Sequence, residues 1–351
     1  MEARLTPIGQ AVARYLTDHW QTSCELADIS QIPGGASRET YRISIKTGDN
    51  LRGLILRRDP PSSLIDTERQ LEFNTYQAVY RAGVVPVPEP IVLEEANPGE
   101  LLRPFSIMAQ ISQGQATPAG LDEPAMQPHK AKLGQQMWGL LGNLASTPIA
   151  TLNLTSFMQV PDHPAQHELN YWTEVIRQDA LHPQPVAEAT IRWLQRHLPE
   201  PSGQLCLVHG DYRTGNYLYT PQGDITAILD WEMAHIGDPL EDLAWSLDPL
   251  WSAQPEIAGR LLPRQQAVNI WQQTSSLQID SEAFKWWQVF ASLKALAIWI
   301  SSNEDYVNGT TKEPILALAG WPLMDRQSRF LVDRLSGDGQ FLYSEPLLDL
   351  A

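Results

Sequence analysis

The stretch from Leu207 to Trp245, LVHGDYRTGNYLYTPQGDITAILDWEMAHIGDPLEDLAW, concentrates more chemically capable side chains than any other part of this 351-residue chain. His209, Asp211, Arg213 and Asn216 follow one another closely, among glycines and small polar residues that favour a loop over a helix or a strand. One short loop can therefore project both a carboxylate, Asp211, and an amide oxygen, Asn216. The apolar run from Ile225 to Leu229 comes next, with the length and branching of a strand, and it ends at Asp230.

Transfer of a phosphoryl group to a hydroxyl calls for this set of groups. The attacking hydroxyl must be oriented and relieved of its proton, and one carboxylate within hydrogen-bond reach does both, a role that falls to Asp211. Charge on the phosphates of ATP must be offset, and Mg2+ takes hard oxygen ligands while keeping several waters. The amide oxygen of Asn216 and the carboxylate of Asp230 suit it, with Glu232 as a second carboxylate. Arg213 adds a fixed positive charge near the transferred group. Taken singly, an Asp or Asn in a turn is only a turn former; the order of these positions carries the assignment.

The order His-x-Asp-x-x-x-x-Asn followed by a strand ending in Asp resembles the catalytic half of protein-kinase-like enzymes. In its detail, His209-Gly210-Asp211 and Asp230-Trp231-Glu232, it resembles the aminoglycoside and choline phosphotransferase family. The resemblance implies an α+β, two-lobed protein-kinase-like fold. A small antiparallel β-sheet lobe would span residues 1–109 and bind nucleotide, and a larger, mainly helical lobe, 110–351, would carry catalysis and the acceptor. It makes His209 an organiser of the loop, with a satisfied core histidine as the other reading. Gly210 stands where protein kinases have an arginine that reads phosphate on an activation loop, and the chain reaches Gly237-Asp238-Pro239 too soon for a long activation segment.

Other stretches extend the resemblance over nearly the whole chain. Gly34-Gly35-Ala36-Ser37-Arg38-Glu39-Thr40-Tyr41 is similar to the family's Gly-Gly-x-Ser-x-x-Thr-Tyr turn, with Arg38 where Asn is frequent. Backbone amides at Gly34 and Gly35 and the Ser37 hydroxyl can approach phosphate oxygens there; an ordinary hairpin turn is the alternative. The strand Leu51 to Arg58 should deliver a cation to the α and β phosphates. No lysine lies on it; side chains alternate along a strand, so Arg57 and Arg58 cannot both face the nucleotide, and the resemblance gives the role to Arg57. Glu68 and Glu72 lie one turn apart on the helix Ile65 to Arg81. Counting back from Gly83-Val84-Val85-Pro86-Val87-Pro88, which resembles the family's Gly-Val-Pro-Val-Pro turn, favours Glu72 as the partner of Arg57, with a solvated helix charge as the alternative. Fold resemblance places the adenine against backbone from Ala109 to Ile111. Leu-Arg-Arg-x-Pro-Pro, residues 56–61, is similar to kinase-like domains that occur alone or fused to acyl-CoA dehydrogenases.

Charge and hydropathy exclude several rivals. A formal net charge of −16 argues against nucleic-acid or anionic-membrane partners. No apolar span is long enough for a transmembrane helix, and Val289 to Ile300, which contains Lys294, reads as a buried helix. Two cysteines make neither a disulfide framework nor a zinc site, so a cytoplasmic setting is expected. His163 and His167 are separated by a helix turn, but Pro164 and the missing Glu argue against zinc. There is no Gly-Lys P-loop, no G-x-S-x-G elbow and no G-x-G-x-x-G fingerprint. Asp238 and Asp242 are expected to cap or brace the helix that follows. The expected function is an ATP- and Mg2+-dependent phosphotransferase acting on a hydroxyl of a small molecule. The alternative is a kinase-like nucleotide- or ligand-binding protein without turnover. The acceptor stays open between a cationic aminoglycoside or amino alcohol and a hydroxyacyl thioester, for which Arg326, Arg329 and Arg334 are the one hint of basic surface.

Overall fold

Alternate residues of the amino-terminal strands are apolar, and the resulting one-sided surface must be covered. In the computed structural model, which describes residues 2–32, 39–59, 69–96, 98–252, 254, 256–310 and 314–336, helix α1 (Glu2–Trp20) provides part of that cover. Its Val12 and Leu16 pack with Tyr41, Ile43, Ile45, Leu54, Leu56, Phe105 and Ile107. Fully burying one such aliphatic side chain is worth about 1.5–3 kcal/mol. The strands are β1 (Glu25–Ile32), β2 (Glu39–Thr47), β3 (Asn50–Arg58), β4 (Pro90–Glu94) and β5 (Phe105–Ala109), and helix α2 (Arg69–Ala82) lies between β3 and β4 in sequence. They form one antiparallel sheet in the order β1-β2-β3-β5-β4. Arg57 is thus on the central strand, opposite Thr40 on one side and Ser106 on the other.

This sheet unit comprises residues 1–114 together with 226–232. The later segment is tied in by Ile228 N–H donating to Pro86 O (2.7 Å) and by the Thr226 hydroxyl on Gln113 O (3.0 Å). The sequence-based division at 109/110 assigns that segment to the other lobe. Only long-range contacts reveal that it belongs with the sheet. Gly34, Gly35, Ser37 and Arg38 lie outside the described residues.

The second unit, residues 115–225 and 233–351, is mainly helical. Its elements include α3 (Lys130–Ser146), α4 (Pro164–Asp179), α5 (Pro185–Arg196), β6 (Cys206–Val208), β7 (Tyr217–Tyr219), the first residue of β8 (Ile225–Ile228, whose other residues belong to the sheet unit), β9 (His235–Gly237), α6 (Pro239–Ser246), α7 (Arg264–Ser275), α8 (Ser281–Val307), α9 (Pro314–Leu318) and α10 (Met324–Ser336). Helix α8 is apolar on most of its circumference, with Trp286, Trp287, Phe290, Leu293, Leu296 and Ile300 buried, as a central helix must be. Lys294 is buried in the middle of it. Among the described residues no helix is long and apolar enough to cross a membrane.

Candidate active site

The residues singled out from the sequence fall into two groups, one in each unit. In the helical unit, β6 pairs antiparallel with β9, Val208 opposite His235, and releases the chain into the loop His209–Asn216. His209 is fully buried; its Nδ1 accepts from Asp211 N–H (3.1 Å) and its ring meets Tyr212 edge-on. It therefore shapes the loop from inside. Gly210 has φ +83°, and a Cβ there would strike the carbonyl of Met233, so neither an arginine nor any other side chain fits.

The carboxylate of Asp211 receives three donors from three directions. Arg213 Nε contacts Oδ1 at 2.9 Å and Oδ2 at 3.1 Å, Asn216 Nδ2 reaches Oδ2 at 2.6 Å, and Trp245 Nε1 reaches Oδ1 at 2.8 Å. A carboxylate only accepts, so the amide nitrogen of Asn216 must be the atom facing it, which leaves the amide oxygen Oδ1 for a cation. Arg213 is itself fixed, its guanidinium 4.6 Å from the ring centroid of Trp251. Two of these partners, Trp245 and Trp251, escape a motif reading because neither residue type belongs to the chemistry of phosphoryl transfer.

The loop is held by α6. Asp238 caps this helix through Leu240 N–H (2.9 Å), as expected. Asp242 reaches further than a helix brace: its carboxylate accepts from the backbone N–H groups of His209 (2.6 Å) and Gly210 (3.0 Å). Burial, aided by repulsion from Glu241, pushes its carboxyl up to about 6.

In the sheet unit, Arg57 projects to the face opposite Leu54 and Leu56 and forms an ion pair with Glu72 of α2, which is buried. Burial opposes its charge, but Glu72, Tyr76, Asp230 and Glu232 together outweigh that and raise the guanidinium pKa. Asp230 adopts φ +68°, a left-handed conformation that Asp tolerates better than most residues. Its N–H donates to the Tyr76 hydroxyl (3.0 Å), which fixes this turn. Two carboxylates, Asp230 and Glu232, therefore stand within the electrostatic reach of Arg57, and hard oxygen donors of this kind fit Mg2+. Arg58 is not an idle neighbour. It is buried, bonded to Glu39 (2.7 Å) and Leu101 O (3.3 Å), and Glu39 also takes Arg103 (3.0 Å).

Of the residues expected at the base, Ala109 ends β5 and its N–H is committed to Glu89 O (2.8 Å), as Gln110 N–H is to Gly53 O (2.9 Å). Ile111 N–H makes no hydrogen bond within the described residues. His163 caps α4 through Gln166 N–H (3.3 Å), and His167 contacts Glu168 (3.3 Å), so the two do not share a ligand position. Arg334 is buried against Asp248 (3.4 Å), and Arg329 pairs with Asp325 (3.0 Å). The three carboxy-terminal arginines thus form no continuous basic surface.

A fold with a five-stranded antiparallel sheet before a helical unit, carrying His-Gly-Asp, Asn and a strand-end Asp, defines a protein-kinase-like phosphotransferase class. The profile of the phosphotransferase enzyme family (APH) matches residues 28–275, and the chain belongs to that family. The mouse (Mus musculus) protein acyl-CoA dehydrogenase family member 10 is 29% identical over 224 residues, a match spanning 62% of this chain and 20% of the mouse protein. Among solved structures, a candidate aminoglycoside phosphotransferase of Ralstonia eutropha is similar with a TM-score of 0.73 at 19% identity, over 91% of this chain and 95% of that one. A spectinomycin phosphotransferase in complex with ADP and spectinomycin is similar with a TM-score of 0.58 at 12% identity, over 90% of this chain and 93% of that one. At these identities the two structures speak for the fold.

Proposed function

We propose that this chain transfers the γ-phosphate of ATP to a hydroxyl group of a small molecule, with Asp211 orienting the hydroxyl and accepting its proton. The observation that carries the proposal is the fixed carboxylate of Asp211, met by Arg213, Asn216 and Trp245 from separate directions. Such pre-organisation is what general-base catalysis needs and what a turn-forming Asp does not. Arg213 supplies positive charge beside the transferred group, and His209 holds the loop in shape.

Asn216, Asp230 and Glu232 are the proposed oxygen ligands of Mg2+, and a bound Mg2+ neutralises charge on the phosphate oxygens. Arg57 is the proposed phosphate cation, kept in place by Glu72. Gly34, Gly35 and Ser37 are proposed to cover the phosphates, and Ile111 N–H, rather than that of Ala109, is proposed to donate to the base. Family membership and the ADP found with the spectinomycin phosphotransferase support a nucleotide as the donor. Cys24 and Cys206 are free and buried, in keeping with a reducing, cytoplasmic setting.

The test is a panel of hydroxyl compounds, comprising amino alcohols, aminoglycosides and hydroxyacyl thioesters, incubated with the protein, ATP and Mg2+. ADP release that depends on one class of acceptor, with a phosphorylated product seen by mass spectrometry, is the expected result. Calorimetric binding of ATP without acceptor-dependent ADP release from any compound points instead to a nucleotide-binding protein without turnover.

A further inference from the structure

We infer that Trp245 is a positioning residue for Asp211 and that a buried charge network centred on Lys294 holds it there. Trp245 is 1% exposed on α6, and its indole N–H donates to Asp211 Oδ1 at 2.8 Å. A phenylalanine would also be a buried aromatic here, though a smaller one. Only tryptophan adds a donor at that point, and here the acceptor is the carboxylate assigned to proton transfer. The inference rests on that assignment.

The indole is supported from beneath. Lys294 Nζ lies 5.3 Å from the ring centroid of Trp245, 5.5 Å from that of Trp172, and 3.0 Å from Glu241 Oε1. Glu241 and Trp245 are four residues apart on α6, so both face α8, and Lys294 lies against them together. A cation over the indole face polarises the ring and makes its N–H a better donor. Glu241 Oε2 meets His235 Nε2 at 3.1 Å, and the same nitrogen is 3.6 Å from Glu168 Oε1 on α4. The two carboxylates of Glu168 and Glu241 face the lysine and the imidazole, with the Asp242 carboxyl close enough to act on both, and this pairing of opposite charges lets ionisable groups share one buried region. The ligand atoms of Glu168, His235 and Glu241 lie within 4.8 Å of one another, but Lys294 and the imidazolium already supply the positive charge that a metal ion would bring.

Such a network adds little stability over an apolar replacement of the same volume. What it supplies is location. Through it, β9, α4 and α8 all fix α6, and α6 holds the loop twice, by Asp242 on its backbone and by Trp245 on the side chain of Asp211. Positions 242 and 245 are three residues apart, on one face of the helix.

The experiment compares full-length wild type, Trp245→Phe, Asp211→Asn and, as a control, Trp138→Phe, whose buried indole N–H donates to Ser246 at 3.2 Å. The first readout is the set of indole 1H–15N resonances. The signal lost in Trp245→Phe should move upfield in Asp211→Asn, since a neutral amide oxygen is a weaker acceptor than a carboxylate, while the signal lost in Trp138→Phe stays in place. The second readout is Mg2+-dependent ATP hydrolysis, with water as the acceptor. Trp245→Phe should lower kcat roughly 10- to 100-fold, the worth of a hydrogen bond to a charged group, and leave the KM for ATP within about twofold. Trp138→Phe should lose comparable thermal stability and keep its kcat. A wild-type kcat in Trp245→Phe, or a Trp245 resonance indifferent to Asp211→Asn, overturns the inference while leaving the phosphotransfer reading intact. An Asp211→Asn protein as active as wild type overturns that reading and Trp245's part in turnover with it, even where the indole shift confirms the contact.

Discussion

Replacement of Asp242 separates two opposing contributions that the structure places on one side chain. Its carboxylate satisfies two buried backbone donors, His209 N–H and Gly210 N–H. It is also a costly charge, its pKa pushed up to about 6 by burial and by Glu241. The rise from 3.8 to about 6 corresponds to roughly 3 kcal/mol between the two protonation states. Asp242→Asn and Asp242→Ala both shed this charge, so its cost cancels between them. Asn keeps an oxygen for one of the two amides, whereas Ala leaves both without an acceptor, and one orphaned buried donor costs about 1–3 kcal/mol. Urea unfolding at pH 7 should therefore find Asn more stable than Ala by about 1–3 kcal/mol. The pH dependence has a definite sign. A carboxyl with a raised pKa binds more protons folded than unfolded, so its contribution is greatest below the ordinary value of 3.8 and falls as pH rises through 6. The wild type should lose ground to Asp242→Asn across that window. Equal stability of the two variants, or a gap to wild type that does not change with pH, refutes the reasoning.

Arg57→Met should raise the apparent KM for ATP and lower turnover strongly, with Arg57→Lys a partial rescue because an ammonium cannot copy the guanidinium fork; steady-state kinetics decide it. Arg58→Met should leave the KM for ATP near wild type yet lower the melting temperature, since Arg58 holds Glu39 and Leu101 O in the core. Asp230→Ala should weaken ATP binding more in the presence of Mg2+ than in its absence, and equal losses in paired calorimetric titrations would make Asp230 structural. Burial disfavours the imidazolium of His235, but Glu168 and Glu241 overcome this and push its pKa up to about 10. That stabilisation is complete below 6.5 and lost as pH rises through 10, so melting temperature should fall over that range in wild type and flatten in His235→Gln.

Much of this arrangement was legible because it is local. The run Ile225 to Leu229 predicts β8, the alternation of β3 separates Arg57 from Arg58, and the family-like turn Gly83-Val84-Val85-Pro86-Val87-Pro88 is the point from which counting back reaches Glu72, which does pair with Arg57. What escaped the sequence depends on pairings far apart in the chain. Trp245 meets Asp211 only because β6 pairs with β9 and turns α6 back under the loop. Asp242 looked like a helix brace for the same reason. Lys294 was visible as a charge in a buried helix, but its partner Glu241 lies on another helix, 53 residues away. Strand alternation turns Arg58 away from Arg57, and the sequence offers Arg334 as a hint of basic surface, yet both side chains are buried, since periodicity does not tell which long polar residue ends inside. Residues 226–232 join the sheet unit through hydrogen bonds to Pro86, Gln113 and Tyr76 that no composition boundary marks.

The most direct test of the central claim is the Asp211→Asn protein, assayed beside wild type for ADP release with Mg2+-ATP and an accepted hydroxyl compound, and titrated with ATP by calorimetry. The substitution keeps size and polarity but removes the proton acceptor. Turnover should fall by about 10²–10⁴-fold, with ATP affinity within a few-fold of wild type. Turnover within a few-fold of wild type would contradict the assignment of Asp211 as the base and the phosphotransfer mechanism built on it.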